Sequence, residues 1–226
     1  MKVFKKPGPV NTDAVAEIAA AAAGRVDCIV VASITGSSVL KVAQKIKGKE
    51  VVCVTCPQGM YWQVKEMRED LFAEIPELKD QRDEWIRKGL EKVPMYLTPE
   101  NKIKLQQLGV QIVQGTIPLF GPSFSMRMHL QKTTALDVMA KTLELISTGT
   151  LVCLETVLMA TDAGIIPEQK RVLACAGTEI GLDTAWITRN CPSAQLFHPT
   201  EGFRFLECLA KPELAQIPRI NTKYLS

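Results

Sequence analysis

The chain reads as an α/β protein, a three-layer α/β/α sandwich with a mostly parallel sheet, and three features carry that reading. Short unbroken apolar runs such as Cys28-Ile-Val-Val-Ala32 and Val51-Val-Cys-Val-Thr55 have the length and β-branched character of strands buried on both faces. Between these two runs Val39, Val42, Ala43 and Ile46 recur at helical spacing, while Lys41, Gln44, Lys45 and Lys47 take the opposite side. A strand, a helix and a strand in that order make a βαβ unit, which sets the strands parallel with a right-handed crossover. The last third places strand-like runs at 172–176, 183–188 and 203–209 without long helices between them, so part of it is expected to be antiparallel.

Element by element, Asn11 or Thr12 is placed to cap a helix running to about Ala23, with Gly24 as its stop. The alanines at 19–23 suit its interior, because alanine is the best helix former. After the βαβ unit the pattern breaks over 57–100, where Lys, Arg, Glu and Asp crowd among spaced apolar residues such as Trp62, Met67 and Trp85. This stretch reads as a charged helical insertion in a single domain spanning 1–226: a lid, an arm gripping a second copy, or a solvated excursion. Alternation resumes with a helix near 99–108, a strand at 110–115, a Pro/Gly/Ser-rich loop at 117–125 and a helix from Thr133 or Thr134. Leu136, Met139, Ala140 and Leu143 give that last helix a buried stripe. The run 151–154 reads as the next strand, delivering Glu155 and Thr156 at its carboxyl end, before a short helix and the turn Asp162-Ala-Gly-Ile-Ile-Pro167.

Composition excludes several classes. Hydrophobic residues at 46% and charged residues at 23%, with a formal net charge of +3 spread along the chain, leave no basic block for nucleic acid. Seven cysteines scattered through apolar runs suit buried small hydrophobes in a reducing cytoplasm rather than a disulfide framework. The opening MKVFKKPGPVNT lacks the apolar segment of a secretory signal, and no window approaches the ~18 apolar residues of a membrane span. A cytoplasmic protein with no membrane partner is the expectation. The Cys53-Val-Thr-Cys56 spacing is that of a redox pair, but one thiol lies within a strand and the other precedes Pro57, whereas a working pair sits at a helix start. No second such pair and no paired histidine motif accompany it, so no metal site is expected; His129 and His198 stand alone and no catalytic triad can be built on them.

The chemistry-bearing stretch follows the first buried strand: Ser33-Ile-Thr-Gly-Ser-Ser38 opens a helix with hydroxyls and a glycine. First-turn amides of a helix lack partners and carry about half a positive charge, so such a loop can hold a phosphate without a basic side chain. The competing reading is an ordinary turn whose hydroxyls only cap the helix. Glu155 and Asp162 are acids suited to a ligand hydroxyl or to proton transfer, or to a helix start and a turn. Tyr61, Trp62 or Phe124 can wall an aromatic ligand, or serve packing.

Four blocks, FKKPGPVNT at 4–12, VVASITGSSV at 30–39, LVCLETVLMATDAGIIP at 151–167 and AGTEIGLDTA at 176–185, resemble the stand-alone proteins related to the C-terminal α/β domain of pyruvate kinase. The resemblance covers most of the chain outside the insertion, and nothing matches the barrel that carries pyruvate kinase catalysis. It implies the same sandwich and a phosphorylated ligand, with flavin mononucleotide (FMN) the associated cofactor. By position it points to Ser33, Thr35, Gly36, Ser37 and Ser38 in the phosphate loop and to Lys6, Gly8 and Asn11 in the first block. It adds Glu155, Thr156 and Asp162 from the third block, and Gly177, Gly181, Asp183 and Thr184 from the fourth. Two functions follow as expectations: a flavin-dependent oxidoreductase of unknown substrate, or a non-catalytic module that senses a sugar phosphate or another phosphorylated metabolite. Catalytic residues are not assigned. A homo-oligomer is expected from the spaced apolar residues of the insertion.

Overall fold

The computed structural model describes residues 1–72 and 75–214. A seven-stranded sheet has the order β1-β9-β8-β7-β2-β3-β6, with β1 (Lys2–Phe4), β2 (Cys28–Ala32), β3 (Glu50–Thr55), β6 (Gln111–Gln114), β7 (Arg171–Ala176), β8 (Thr184–Arg189) and β9 (Arg204–Pro212). A separate ribbon pairs β4 (Tyr61–Gln63) with β5 (Lys92–Pro94) antiparallel. In the large sheet β8 runs against both its neighbours and every other pairing is parallel. The expected α/β sandwich with antiparallel pairing near the C-terminus is therefore the observed one.

Alternation along each strand builds the two flanking layers. Ile29 and Val31 face one side, where α1 (Thr12–Ala22), α2 (Ser37–Ala43) and α5 (Pro99–Gln107) contribute Val15, Ala19, Val39, Val42 and Leu105. Cys28 and Val30 face the other, against Leu154, Val157 and Leu158 of α8 (Thr148–Asp162). Over α8 lies α7 (Ala135–Glu144), which lays its stripe Leu136, Met139, Ala140 and Leu143 on the same core. Its start is fixed by a capping box, in which the Thr134 hydroxyl accepts the Asp137 amide and the Asp137 carboxylate accepts the Thr134 amide.

Three expectations are corrected. Residues 151–154 are not a strand but the second turn of α8, in which nearly every side chain from Gly149 to Thr161 is buried. A helix that is apolar on all sides has no 3.6-residue period, so its short apolar run imitates a buried strand. The Ser147 hydroxyl, accepting the Thr150 amide at 3.0 Å, caps its true start. The 117–125 loop gives way to α6 (Gly121–Leu130), because Pro122 stands in the first turn, where a missing N–H costs nothing. The insertion is only partly helical: α3 (Glu69–Phe72) and α4 (Pro76–Arg87) lie in the chain between the paired strands β4 and β5.

Candidate functional site

Register places the candidate residues. Val31 is level with Cys175, so β2 and β7 end side by side and project the loop 33–38 and the turn 177–183 from one edge of the sheet. β8, running the opposite way, begins at that same edge, and β1 ends there and leads into residues 5–11. Three of the four sequence blocks thus meet at the carboxyl edge, where open α/β sheets bind ligands.

The loop after β2 is held from both sides. The Ser33 amide donates to the Val54 carbonyl at 3.0 Å, and its hydroxyl accepts the Gly36 amide at 3.0 Å. Gly36 is left-handed at φ 94°, and a Cβ there would stand 2.6 Å from Leu97 Cδ1 and 2.8 Å from Asn101 Cβ, so both conformation and the approach of α5 require glycine. The Thr35 carbonyl receives the Asn101 side-chain amide at 2.9 Å and the Thr98 amide at 3.3 Å. At the start of α2 the Leu40 amide reaches the Gly36 carbonyl, whereas the amides of Ser37, Ser38 and Val39 meet no acceptor among the described residues. The Thr35 and Ser37 hydroxyls lie 2.7 Å apart beside them, with Ser37 exposed and Ser38 buried. The result is a small donor-rich, electropositive face with no formal charge.

The first and fourth blocks form a bolt beside that loop. The Asp183 carboxylate, buried from solvent, accepts the Gly8 amide at 2.8 Å, the Thr178 amide at 3.1 Å and the Thr184 hydroxyl at 2.7 Å. Burial pushes its pKa up, while the bonds from Thr184, Gly8 and Thr178 hold it down. Thr12 donates to the Pro9 carbonyl at 2.7 Å and accepts the Leu182 amide at 3.0 Å, and the Asn11 side chain spans the Lys6 and Gly8 carbonyls. A Cβ on Gly181 would strike Pro9, and one on Gly177 the Gly181 carbonyl. Gly8, Asn11, Gly177, Gly181, Asp183 and Thr184 are thus brought together, and their polar groups mostly bind one another.

The third block does not converge on that edge as read. Thr156 lies in the middle of α8 and bonds back to the Val152 carbonyl at 2.8 Å. Asp162 ends the helix at the opposite edge, where it accepts the Ser193 amide at 2.8 Å. Glu155, two turns into α8, is 6% exposed; the Leu119 amide bonds to it, yet its Oε1 has no partner. Burial pushes its pKa up to about 8, the Leu119 amide opposes this, and the Glu144 carboxylate adds to it.

The insertion covers the carboxyl edge. Val64, Met67 and Phe72 form its own small core with Trp62, Leu78, Trp85 and Val93, and Ile180 of the turn after β7 enters that core. The Trp62 and Trp85 rings lie 5.8 Å apart, so of the three aromatic candidates Trp62 is occupied inside the cover. Tyr61 carries the Lys92 ammonium over its ring, and Phe124 stacks on Phe120 in α6. Of the apolar residues of the insertion, Leu78, Trp85 and Val93 pack on that core, whereas Ile86, Leu90 and Tyr96 are exposed. Sequence reading missed Ile180, Thr98 and Asn101, and the only available signal was the capping pattern of Thr98 before Pro99.

Burial raises the thiol pKa of Cys53 to about 12 and of Cys56 to about 11, the opposite of an activated redox pair. Among the described residues no group of His, Cys, Asp and Glu could hold a metal ion, and no helix is long and apolar enough to cross a membrane. No protein-family model matches the chain.

Proposed function

We propose that this protein binds a phosphorylated small molecule at the carboxyl edge of its sheet, with FMN the leading ligand. The observation that supports this most is the row of three amides, Ser37 to Val39, that meet no acceptor among the described residues, beside the mutually hydrogen-bonded Thr35 and Ser37 hydroxyls at the end of a central strand. In this reading the amides and the Ser37 hydroxyl hold the phosphate, Ser33 and Gly36 keep the loop in shape, and the α5 contacts to Thr35 hold it rigid. The donor set suits a phosphate. Bound there, FMN would supply hydride and single-electron transfer through its ring. The surrounding bolt keeps its hydrogen bonds for itself and Glu155 is enclosed in α8, so binding without catalysis, as in a sensor of a phosphorylated metabolite, is the simpler reading of the two.

The test is flavin fluorescence titration of the wild type and of Ser37→Asp. A carboxylate about 4 Å from a phosphate repels it by ~4 kcal/mol at an effective dielectric of about 20, so FMN affinity is expected to fall about 100-fold or more. The same carboxylate at a helix start stabilises α2 by about 0.3–1 kcal/mol, so folding is preserved. Undiminished FMN binding by Ser37→Asp would remove the site from this loop. A bound flavin that is reduced and reoxidised by physiological partners would make the protein an oxidoreductase; a redox-silent one, or preference for sugar phosphates, would make it a sensor. Gly36→Asp is the poorer test, because the new side chain enters α5 and disturbs packing first.

A further inference from the structure

We propose that α6 is the contact helix of a homodimer, laying its exposed apolar side chains against the same helix of a second copy across a two-fold axis. The helix holds Phe124, Met126, Met128 and Leu130, yet Ser123 alone of its ten residues is buried. The Ser123 hydroxyl seats the helix by donating to the Leu119 carbonyl at 2.7 Å, and every residue from Phe124 to Leu130 is exposed. A helix this short does not hold its shape in water by its own hydrogen bonds and needs a packed face. The sandwich supplies almost none of that face.

The size and charge of the patch say what covers it. Phe124 with Met128, and Met126 with Leu130, stand one turn apart, so the four make two apolar rows along the helix. Their exposures run from 38% to 62%, and Val138 of α7, next in the chain to the Asp137 that binds Arg127, adds a fifth at 61%. At ~200 Å2 for a side chain of this size in full exposure, the five leave about 500 Å2 of apolar surface in water. A homodimer interface takes ~800 Å2 from each copy, about 65% of it apolar, so the patch matches one half of such a core. Unbranched methionines adapt readily to a symmetric copy of themselves. An anionic lipid surface is the poorer occupant, because it calls for several free lysines or arginines. Arg127 is the sole residue of either kind in α6; Asp137 binds it, and it lies over the Phe124 ring.

The experiment is sedimentation velocity of the full chain over about 1–100 μM in wild type, Met128→Glu, Leu130→Glu and Ile86→Glu. The wild type is expected to be a dimer. In either α6 variant the two-fold axis brings two unpaired carboxylates into the apolar contact, so dimerisation should weaken about 100-fold or more. Glutamate suits an exposed helix position, and far-UV circular dichroism should find both variants folded. Ile86→Glu makes the same change at an exposed apolar residue of the insertion and should keep the dimer. A wild type that stays monomeric at about 100 μM, a dimer indifferent to both α6 variants, or an equal loss in Ile86→Glu would overturn the assignment. Flotation of a monomeric wild type with phosphatidylserine vesicles would overturn it in favour of a lipid surface.

Discussion

Glu155 sits in an environment that its ionised form disfavours. Its carboxyl is raised from an ordinary 4.5 to about 8 by burial, so the folded protein holds a proton there that the unfolded chain releases. The folded state then binds more protons between about pH 4.5 and 8, and its stability falls as pH rises through that window. The loss amounts to on the order of 3–5 kcal/mol at full ionisation. Glu155→Gln keeps the shape without the titration. Urea unfolding should find it more stable than wild type at pH 8, with the difference vanishing near pH 5; a difference independent of pH would exclude the buried proton. The acid was visible in the sequence, but not its environment. Helix or strand at 151–154 decides whether Glu155 ends an element or sits inside one.

At the scale of elements, the bolt between residues 8–12 and 177–184 joins segments far apart in the chain. Asp183→Ala would leave the Gly8 and Thr178 amides without their acceptor, at a cost of about 2–4 kcal/mol. Denaturant unfolding should record that loss, and amide exchange should quicken at Gly8 and Thr178 before the rest of the sheet; a loss under ~1 kcal/mol would show that water replaces the carboxylate. The strands β2, β3 and β7, and helices α1, α5 and α7, were legible from apolar runs, spacing and capping residues. The α8 error has a specific cause, since a helix buried on every side carries no amphipathic signal.

For the whole molecule, the cover over the carboxyl edge is tied to the sandwich by Ile180 and by the Leu97, Thr98 and Asn101 contacts to the phosphate-loop candidate. Ile180→Ala removes the apolar tie at a cost of about 1–2 kcal/mol for a partly buried side chain, raising the open population of the cover about tenfold. Limited proteolysis should then cut within 57–95 correspondingly faster, with the sheet's unfolding midpoint little changed. Equal cutting rates would mean that the cover is held by its second tie alone. The insertion's charge and spacing were plain in the sequence, but its contact with the sandwich through Ile180 was not, because that contact joins segments about a hundred residues apart.

The central βαβ unit, its parallel strands and the hydroxyl-and-glycine loop after the first central strand were determined by the sequence, because each rests on neighbours a few residues apart. Only the tertiary structure decided that Asp183 ties down Gly8, that Gly36 lies against Leu97 and Asn101 and that Glu155 is buried within α8. These depend on contacts between segments distant in the chain, and burial and hydrogen bonding across such contacts leave no local pattern to read.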